Sequence, residues 1–535
     1  DASFDYKNRI PNNTNFVPSY HSLNSFSLTS SFVSDDFYGM MDPDEGNLRT
    51  SDRLDIAVGR VLADSPQRAR DMVDKIELHY AQESYGSWRN NYLVVSDDID
   101  KRGEGELQQV TDAIGDEVEE EKGFINTVKI HSDSYQQRST SSGERYPEAN
   151  QDFIEAIEVG ALAVSYFGHG GEDGLSGERI FTKVDAQEID NLCKFNVFIT
   201  ITCEYTRFDN PLRETAGELT YWNKDGGAIG LITTTRRVFL STGTRFNETL
   251  GKYLFAFDEL NRVSMAESLR RTKNDPNVVG NRQKYLMSFI GDPAMPLAMA
   301  RPDIRLTMIN DVPLGQNTDV LKALDRIKMS GEVYDTQGNF LSNYNGILTA
   351  TVFDKQIERQ TLANDGIVSD TGDDVIMNFD VLGETIFKGQ ATVTNGQFVF
   401  NFIVPRDIGV PIGNGRVSFY AKENSVLDDK AGSSTNFRVG GINENAAEDN
   451  IGPVINLFMN DENFVSGGIT NQAPTLLAKL QDENGINTAS GIGHDIIALI
   501  DGDETNPFVL NDYYQAEVDD FQNGKVSYPF RDLEP

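Results

Sequence analysis

The chain has 535 residues, enough for roughly three or four domains. Its 83 acidic and 47 basic side chains leave a net charge of −36, which excludes the basic footprint of a nucleic-acid binder and docking on anionic lipid. The two cysteines, Cys193 and Cys203, are too few for a disulfide scaffold or a structural zinc cage of cysteines.

Scarce cysteine suits an exported chain, where stray thiols oxidise. No apolar run is long enough to span a membrane, and no signal peptide is read. Asp1 and Glu534-Pro535 read as cut ends, so a targeting segment is expected outside this sequence.

Residues 1–50 are rich in Asn, Ser and Asp, with aromatic islands at Phe26, Phe32, Phe37 and Tyr38, and read as a connecting segment of loop and short strand. Asp42 to Asn47 has the oxygen-rich composition of a calcium loop without EF-hand spacing, so a solvated turn is expected. From residue 51 strand and helix alternate. Leu54 to Val61 predicts a strand. Ser65-Pro66 predicts a helix start, and Ala69, Met72, Val73, Ile76 and Tyr80 give that helix an apolar face. Tyr92 to Ser96 predicts a buried strand ending at Asp97, Asp98 and Asp100. A helix over Leu107 to Val118 and a strand over Phe124 to Ile130 complete a first α/β subdomain, 51–150. Residues 151–302 predict the second. It has a helix over Asp152 to Glu158 and strands over Ala161 to Phe167, Phe195 to Thr202 and Gly227 to Thr233. Helices follow around Phe246 to Phe257 and Val263 to Lys273. This alternation predicts a parallel sheet covered by helices.

Helical runs then stop. Short alternating strands, Gly346 to Phe353, Gly389 to Val393, Gln397 to Val404 and Gly415 to Ala421, predict a β-sandwich over 303–443. Glu444 to Asn450 reads as a linker. Val454 to Met459, Thr475 to Gln481 and His494 to Ile500 predict a second, incomplete β domain over 450–535.

Two strands of the α/β part end in reactive side chains. Ala161 to Phe167 runs into Gly168-His169-Gly170-Gly171, and Phe195 to Thr202 runs into Cys203-Glu204. If those strands are parallel neighbours, His169 and Cys203 open onto the rim where open α/β sheets bind ligands. A histidine lowers the pKa of a nearby thiol and later protonates a leaving amine. The backbone N–H groups of Gly170 and Cys203 could form an oxyanion hole. Gly168 and Gly170 leave room for a substrate backbone. A histidine and a cysteine at strand ends also arise without catalysis, and pattern alone leaves both readings open. A zinc site lacks further ligands near in sequence. His79 and His131 read as packing or surface residues, and His21 and His494 as unpartnered.

The segments Tyr166-Phe167-Gly168-His169-Gly170, Thr202-Cys203, Gly227 to Ile232 and Phe289-Ile290-Gly291-Asp292-Pro293 together resemble the gingipain family of cysteine peptidases over about residues 35–300. The resemblance implies a caspase-like α/β catalytic domain followed by immunoglobulin-like β-sandwich domains, with His169 and Cys203 as the catalytic dyad. The Gly291-Asp292-Pro293 turn reads as structural. Asp98 and Glu106 fall near the family's acidic positions, as orienting or specificity acids. Glu204 departs from the small or polar residues that usually follow the cysteine, and its charge opposes thiolate formation.

The β-rich tail, through Phe387 to Ala391, Phe398 to Pro405, Gly491 to Asp495 and Val509 to Tyr514, is similar to the sortase-type members of that family, the C-terminal signal peptidases of the type IX secretion system. That similarity implies removal of the sorting domain from secreted cargo and transfer of the new carboxyl end to an amine on lipopolysaccharide. It also implies a place at the cell surface, among outer-membrane partner proteins of an attachment complex. A digestive peptidase and a non-catalytic surface scaffold are the alternatives. No cofactor is required for this chemistry. Structural calcium is an expectation at acidic clusters such as Asp35-Asp36 and Asp97-Asp98-Asp100.

Overall fold

Ser65 caps the first helix of the computed structural model, α1 (Pro66–Tyr80), and Pro66 stands at its first position. The alternation expected from the sequence then follows: β1 (Asn91–Ser96), α2 (Gly105–Glu121), β2 (Asn126–His131), α3 (Pro147–Val159), β3 (Ala163–Phe167), α4 (Lys183–Glu188), β4 (Asn196–Ile201), α5 (Ala216–Trp222), β5 (Ala228–Thr234), α6 (Leu240–Leu254), α7 (Met265–Asn274) and β6 (Met287–Ile290). The strands form one six-stranded sheet in the order β6-β5-β4-β3-β1-β2. β1 to β5 are parallel and β6 is antiparallel. Every residue of β3, β4 and β5 is buried, as a parallel sheet covered on both faces requires.

The described residues are 17–22, 27–210, 212–257, 262–316, 320–423, 427–446, 449, 451–489, 494–531 and 533. Expectations at residues 1–16, Phe26, Gly491 to Gly493, Glu534-Pro535 and part of the 444–450 linker lie outside them. The described residues divide into one compact unit of 17–84, 91–299 and 358–379, and a second of 85–90, 300–357 and 380 onward. Among them, no helix is long and apolar enough to cross a membrane.

Three expectations in the first unit are corrected. Leu54 to Val61 is not a strand: only Arg60 bridges the sheet, beside Ile290, donating to the Phe289 carbonyl at 3.0 Å and accepting from Gly291 at 2.9 Å. The inner face of α1 is Met72, Lys75 and His79, whereas Val73 and Tyr80 are exposed. Lys75 is buried because its Nζ donates to the carbonyls of Tyr221 (3.1 Å) and Asn223 (2.7 Å) at the end of α5. That satisfies groups the helix leaves open. Third, residues 358–379, read from the sequence as sandwich, pack within this unit. Asp133 accepts the backbone N–H groups of Ala363 (3.1 Å) and Asn364 (2.9 Å).

In the second unit, the strands Gly346–Phe353, Val454–Met459 and Thr475–Gln481 lie where expected. Asn395 and Gly396 both take positive φ, 52° and 78°, in the turn between Thr385–Val393 and Gln397–Ile403. A core that includes Leu306, Met329, Phe400 and Phe419 is filled from a four-stranded and a nine-stranded sheet. The two β regions read separately from the sequence share the larger sheet, joined by parallel pairing of Gly389 with Ala516. His494 has a partner after all: its Nδ1 is 2.7 Å from Asp407.

Candidate active site

β1, β3 and β4 end in register. Ser96 pairs with Phe167, and Phe167 with Ile201. The residues that follow, Asp97, Gly168 and Thr202, therefore start three loops at one rim. His169 and Cys203 stand two residues beyond the paired ends Phe167 and Ile201, so the fold brings this predicted pair to one rim of adjacent strands.

The histidine is held from several sides. Its backbone N–H donates to Asp97 Oδ2 at 2.6 Å, and its carbonyl accepts from the Tyr166 hydroxyl at 2.6 Å and from the Ser176 N–H at 3.0 Å. Its ring Nε2 is 3.1 Å from Glu104 Oε1. The histidine side chain is 40% exposed and that of Glu104 only 14%, so the ring stays open to a substrate while its anchor is sheltered. Engagement of Nε2 by a carboxylate favours the tautomer with Nδ1 free to take a proton. Gly170 belongs to a two-residue strand paired with Leu175.

The glycines beside His169 serve the protein rather than a substrate. A Cβ at Gly168 would overlap Asp97 and Tyr166, and one at Gly170 would crowd Thr202. The room expected for a substrate backbone is occupied by these side chains.

The acids expected from the sequence stand elsewhere. Asp98 is buried and accepts the Tyr146 hydroxyl at 2.9 Å. It is not the group on His169 Nε2, because that position is taken by Glu104. Glu106 is exposed in the first turn of α2, where an acid complements the helix dipole. Burial pushes the carboxyls of both Asp97 and Asp98 above the usual range. For Asp98 the adjacent Asp97 charge adds to the effect; for Asp97, His169 opposes it. Glu104 is the residue sequence reasoning missed, and Asp97, read only as part of an acidic cluster, holds the His169 backbone. Glu104 carried one usable signal: it sits in the loop after β1, which borders β3.

Cys203 is half-buried. Burial pushes its thiol up, a hydrogen bond from the Val238 backbone opposes that, Glu204 raises it and Arg237 lowers it. His169, expected to lower it, is not among the groups acting on it. Glu204 is buried, with a positive φ of 56°. Its carboxylate accepts from Arg207 at 3.4 Å and Arg237 at 3.3 Å, which offsets the charge that the sequence placed beside the thiol. Arg207 also reaches Glu172 at 3.3 Å.

Of the acidic pairs expected to suit calcium, Asp35 and Asp36 are occupied by cations of the chain: Arg60 for Asp35 (2.5 Å) and Lys273 for Asp36 (2.7 Å). Asp100 falls with Glu104 and His169, away from Asp97 and Asp98, which group instead with Glu178. In the 42–47 loop, the carboxylates of Asp42 and Glu45 meet Asp55 within 4.8 Å.

The sequence profile of Peptidase family C25 matches residues 1–298. No protein of curated function matches the chain. Among solved structures, the Arg-specific cysteine proteinase gingipain R (RgpB) is 14% identical, with 75% of this chain and 79% of that one covered and a TM-score of 0.41. The complex of Porphyromonas gingivalis RgpB pro- and mature domains is 14% identical, covering 75% and 81%, at a TM-score of 0.41. Dimeric latent PorU from Porphyromonas gingivalis is 24% identical over 98% of this chain, at a TM-score of 0.32, and the match covers 43% of the PorU chain.

Proposed function

Because the chain belongs to Peptidase family C25, we propose that His169 and Cys203 are its catalytic dyad and that it acts as a PorU-type sortase. The observation that carries the dyad is register: both residues stand two positions beyond Phe167 and Ile201, which pair on adjacent parallel strands. Glu104 on Nε2 leaves Nδ1 to exchange the proton.

In the reaction, the Cys203 thiol gives its proton to His169, and the sulfur attacks the scissile carbonyl. The C–N bond breaks, His169 returns the proton to the leaving amine, and a thioester remains. Water resolves the thioester by hydrolysis. An amine resolves it by forming a new amide, and the C–S bond breaks to regenerate the thiol. The backbone N–H groups of Gly170 and Cys203 are the proposed donors to the oxyanion.

The sortase reading rests on the β-rich tail, through Phe387 to Ala391, Phe398 to Pro405 and Val509 to Tyr514. The substrates are type IX cargo carrying C-terminal sorting domains, and the acceptor is an amine of anionic lipopolysaccharide. The protein works at the cell surface with outer-membrane partners.

Mass spectrometry of cargo from cells carrying the wild type or Cys203→Ala tests this. Wild-type cargo is expected without its sorting domain and with an amide-linked group at its new end; variant cargo is expected intact and unmodified. Broad cleavage of unrelated proteins by the purified chain would replace the sortase with a digestive peptidase. Normal processing in the variant would leave a scaffold.

A further inference from the structure

Behind the histidine loop lies a group of three buried carboxyls that no lysine or arginine of the described residues meets. Asp97, Asp98 and Glu178 are 1%, 1% and 7% exposed, and a carboxylate oxygen from each lies within 4.8 Å of the other two. Their hydrogen-bond donors are neutral: the His169 N–H to Asp97 (2.6 Å), the Tyr146 hydroxyl to Asp98 (2.9 Å) and the Ser176 hydroxyl to Glu178 (2.5 Å). No lysine or arginine pairs with any of the three among the described residues. Asp97 Oδ1 and Asp98 Oδ1 are buried without any hydrogen-bond partner. An orphaned carboxylate oxygen in the interior is costly, and two beside a third carboxylate more so.

We propose that Asp97, Asp98 and Glu178 bind one Ca2+ ion beneath the histidine loop. All donors are hard oxygens, and their spacing suits the roughly 2.3–2.6 Å bonds of calcium. The two orphaned oxygens become ligands, and the ion supplies the positive charge the chain lacks there. Asp97 would hold the ion through one oxygen and the His169 backbone through the other. Ser176, which donates to Glu178, also donates its N–H to the His169 carbonyl. The ion therefore ties both backbone anchors of His169 to the end of β1. This consequence rests on the dyad proposed above; the binding does not.

Calcium binding is measured on chelator-treated Cys203→Ala protein, so that catalysis plays no part. Its stoichiometry is compared with that of the same protein carrying Asp98→Asn and Glu178→Gln, which preserve shape. The parent is expected to bind one equivalent more, and Tb3+ luminescence excited through the neighbouring tyrosines is expected to fall in the variant. Equal stoichiometry overturns the site and leaves the carboxyls neutralised by protons. If the double variant does not fold, anomalous scattering from the parent crystallised with Tb3+ decides: density among the three carboxylates supports the site, and its absence overturns it. If Ca2+ binds but Cys203→Ala cells process cargo normally, the site stands and the dyad fails.

Discussion

The two arms of the rim balance their buried acids in opposite ways. On the cysteine arm two buried acids meet arginine: Glu204 faces Arg207 and Arg237, and Asp209 is gripped by Arg236 at 2.6 and 2.8 Å. On the histidine arm Asp97, Asp98 and Glu178 meet backbone N–H groups and hydroxyls only. The cysteine arm is therefore held by charges the chain owns, and its geometry survives or fails with single arginines. The histidine arm is held by hydrogen bonds around buried carboxyls that no lysine or arginine meets among the described residues.

The sharpest way to break the cysteine arm is Arg236→Ala. Arg236 and Asp209 have side chains 1% and 3% exposed, and removing one partner of a buried pair strands the other charge. A loss of about 3–5 kcal/mol in unfolding free energy is expected, read by denaturant titration. Removing both charges, with Arg236→Met and Asp209→Leu, is expected to recover most of it. A single-variant loss below about 1 kcal/mol would show that water already reaches Asp209.

The matching test of the histidine arm is Glu104→Gln. The amide keeps its size but no longer fixes which ring nitrogen carries the proton. A fall of about 100-fold in kcat with KM little changed is expected in peptide cleavage. A change in KM alone would make Glu104 a substrate contact instead. Glu106→Gln is the control, since Glu106 is exposed in the first turn of α2 and away from the ring.

These arms were legible in the sequence to different depths. The strand end at Phe167, and the second to within one residue (Thr202 read, Ile201 found), could be read because buried parallel strands are continuous apolar runs, and the reactive residues follow them. Glu104 could not be read with the same ease. It belongs to a loop after β1, and only the pairing of β1 with β3 brings that loop to His169. Asp98 was expected as an orienting acid only from the resemblance, which sets it near the family's acidic positions; in the fold the Tyr146 hydroxyl takes it. Glu204 looked like a free charge because the arginines that meet it come from Arg207 and from Arg237 after β5. The shared sheet of the β unit was hidden for a similar reason: pairing of Gly389 with Ala516 leaves no local trace.

The finest comparison concerns the thiol itself. Arg237 lowers the Cys203 thiol and Glu204 raises it, although the two also pair with each other at 3.3 Å. Removing the guanidinium in Arg237→Ala destabilises the thiolate, so alkylation by iodoacetamide at neutral pH is expected to slow several-fold and its pH profile to move to higher pH. Removing the carboxylate charge in Glu204→Gln acts with the opposite sign and moves the profile to lower pH. Because the side chains are partners, the double variant is expected to fall between the singles, with a coupling energy distinct from zero. Arg237 is half exposed, at 56%, so added salt is expected to shrink its effect more than that of the buried Glu204. If both singles shift the profile in the same direction, the arm is responding to a disturbed turn at Glu204, which takes a positive φ of 56°, and not to charge.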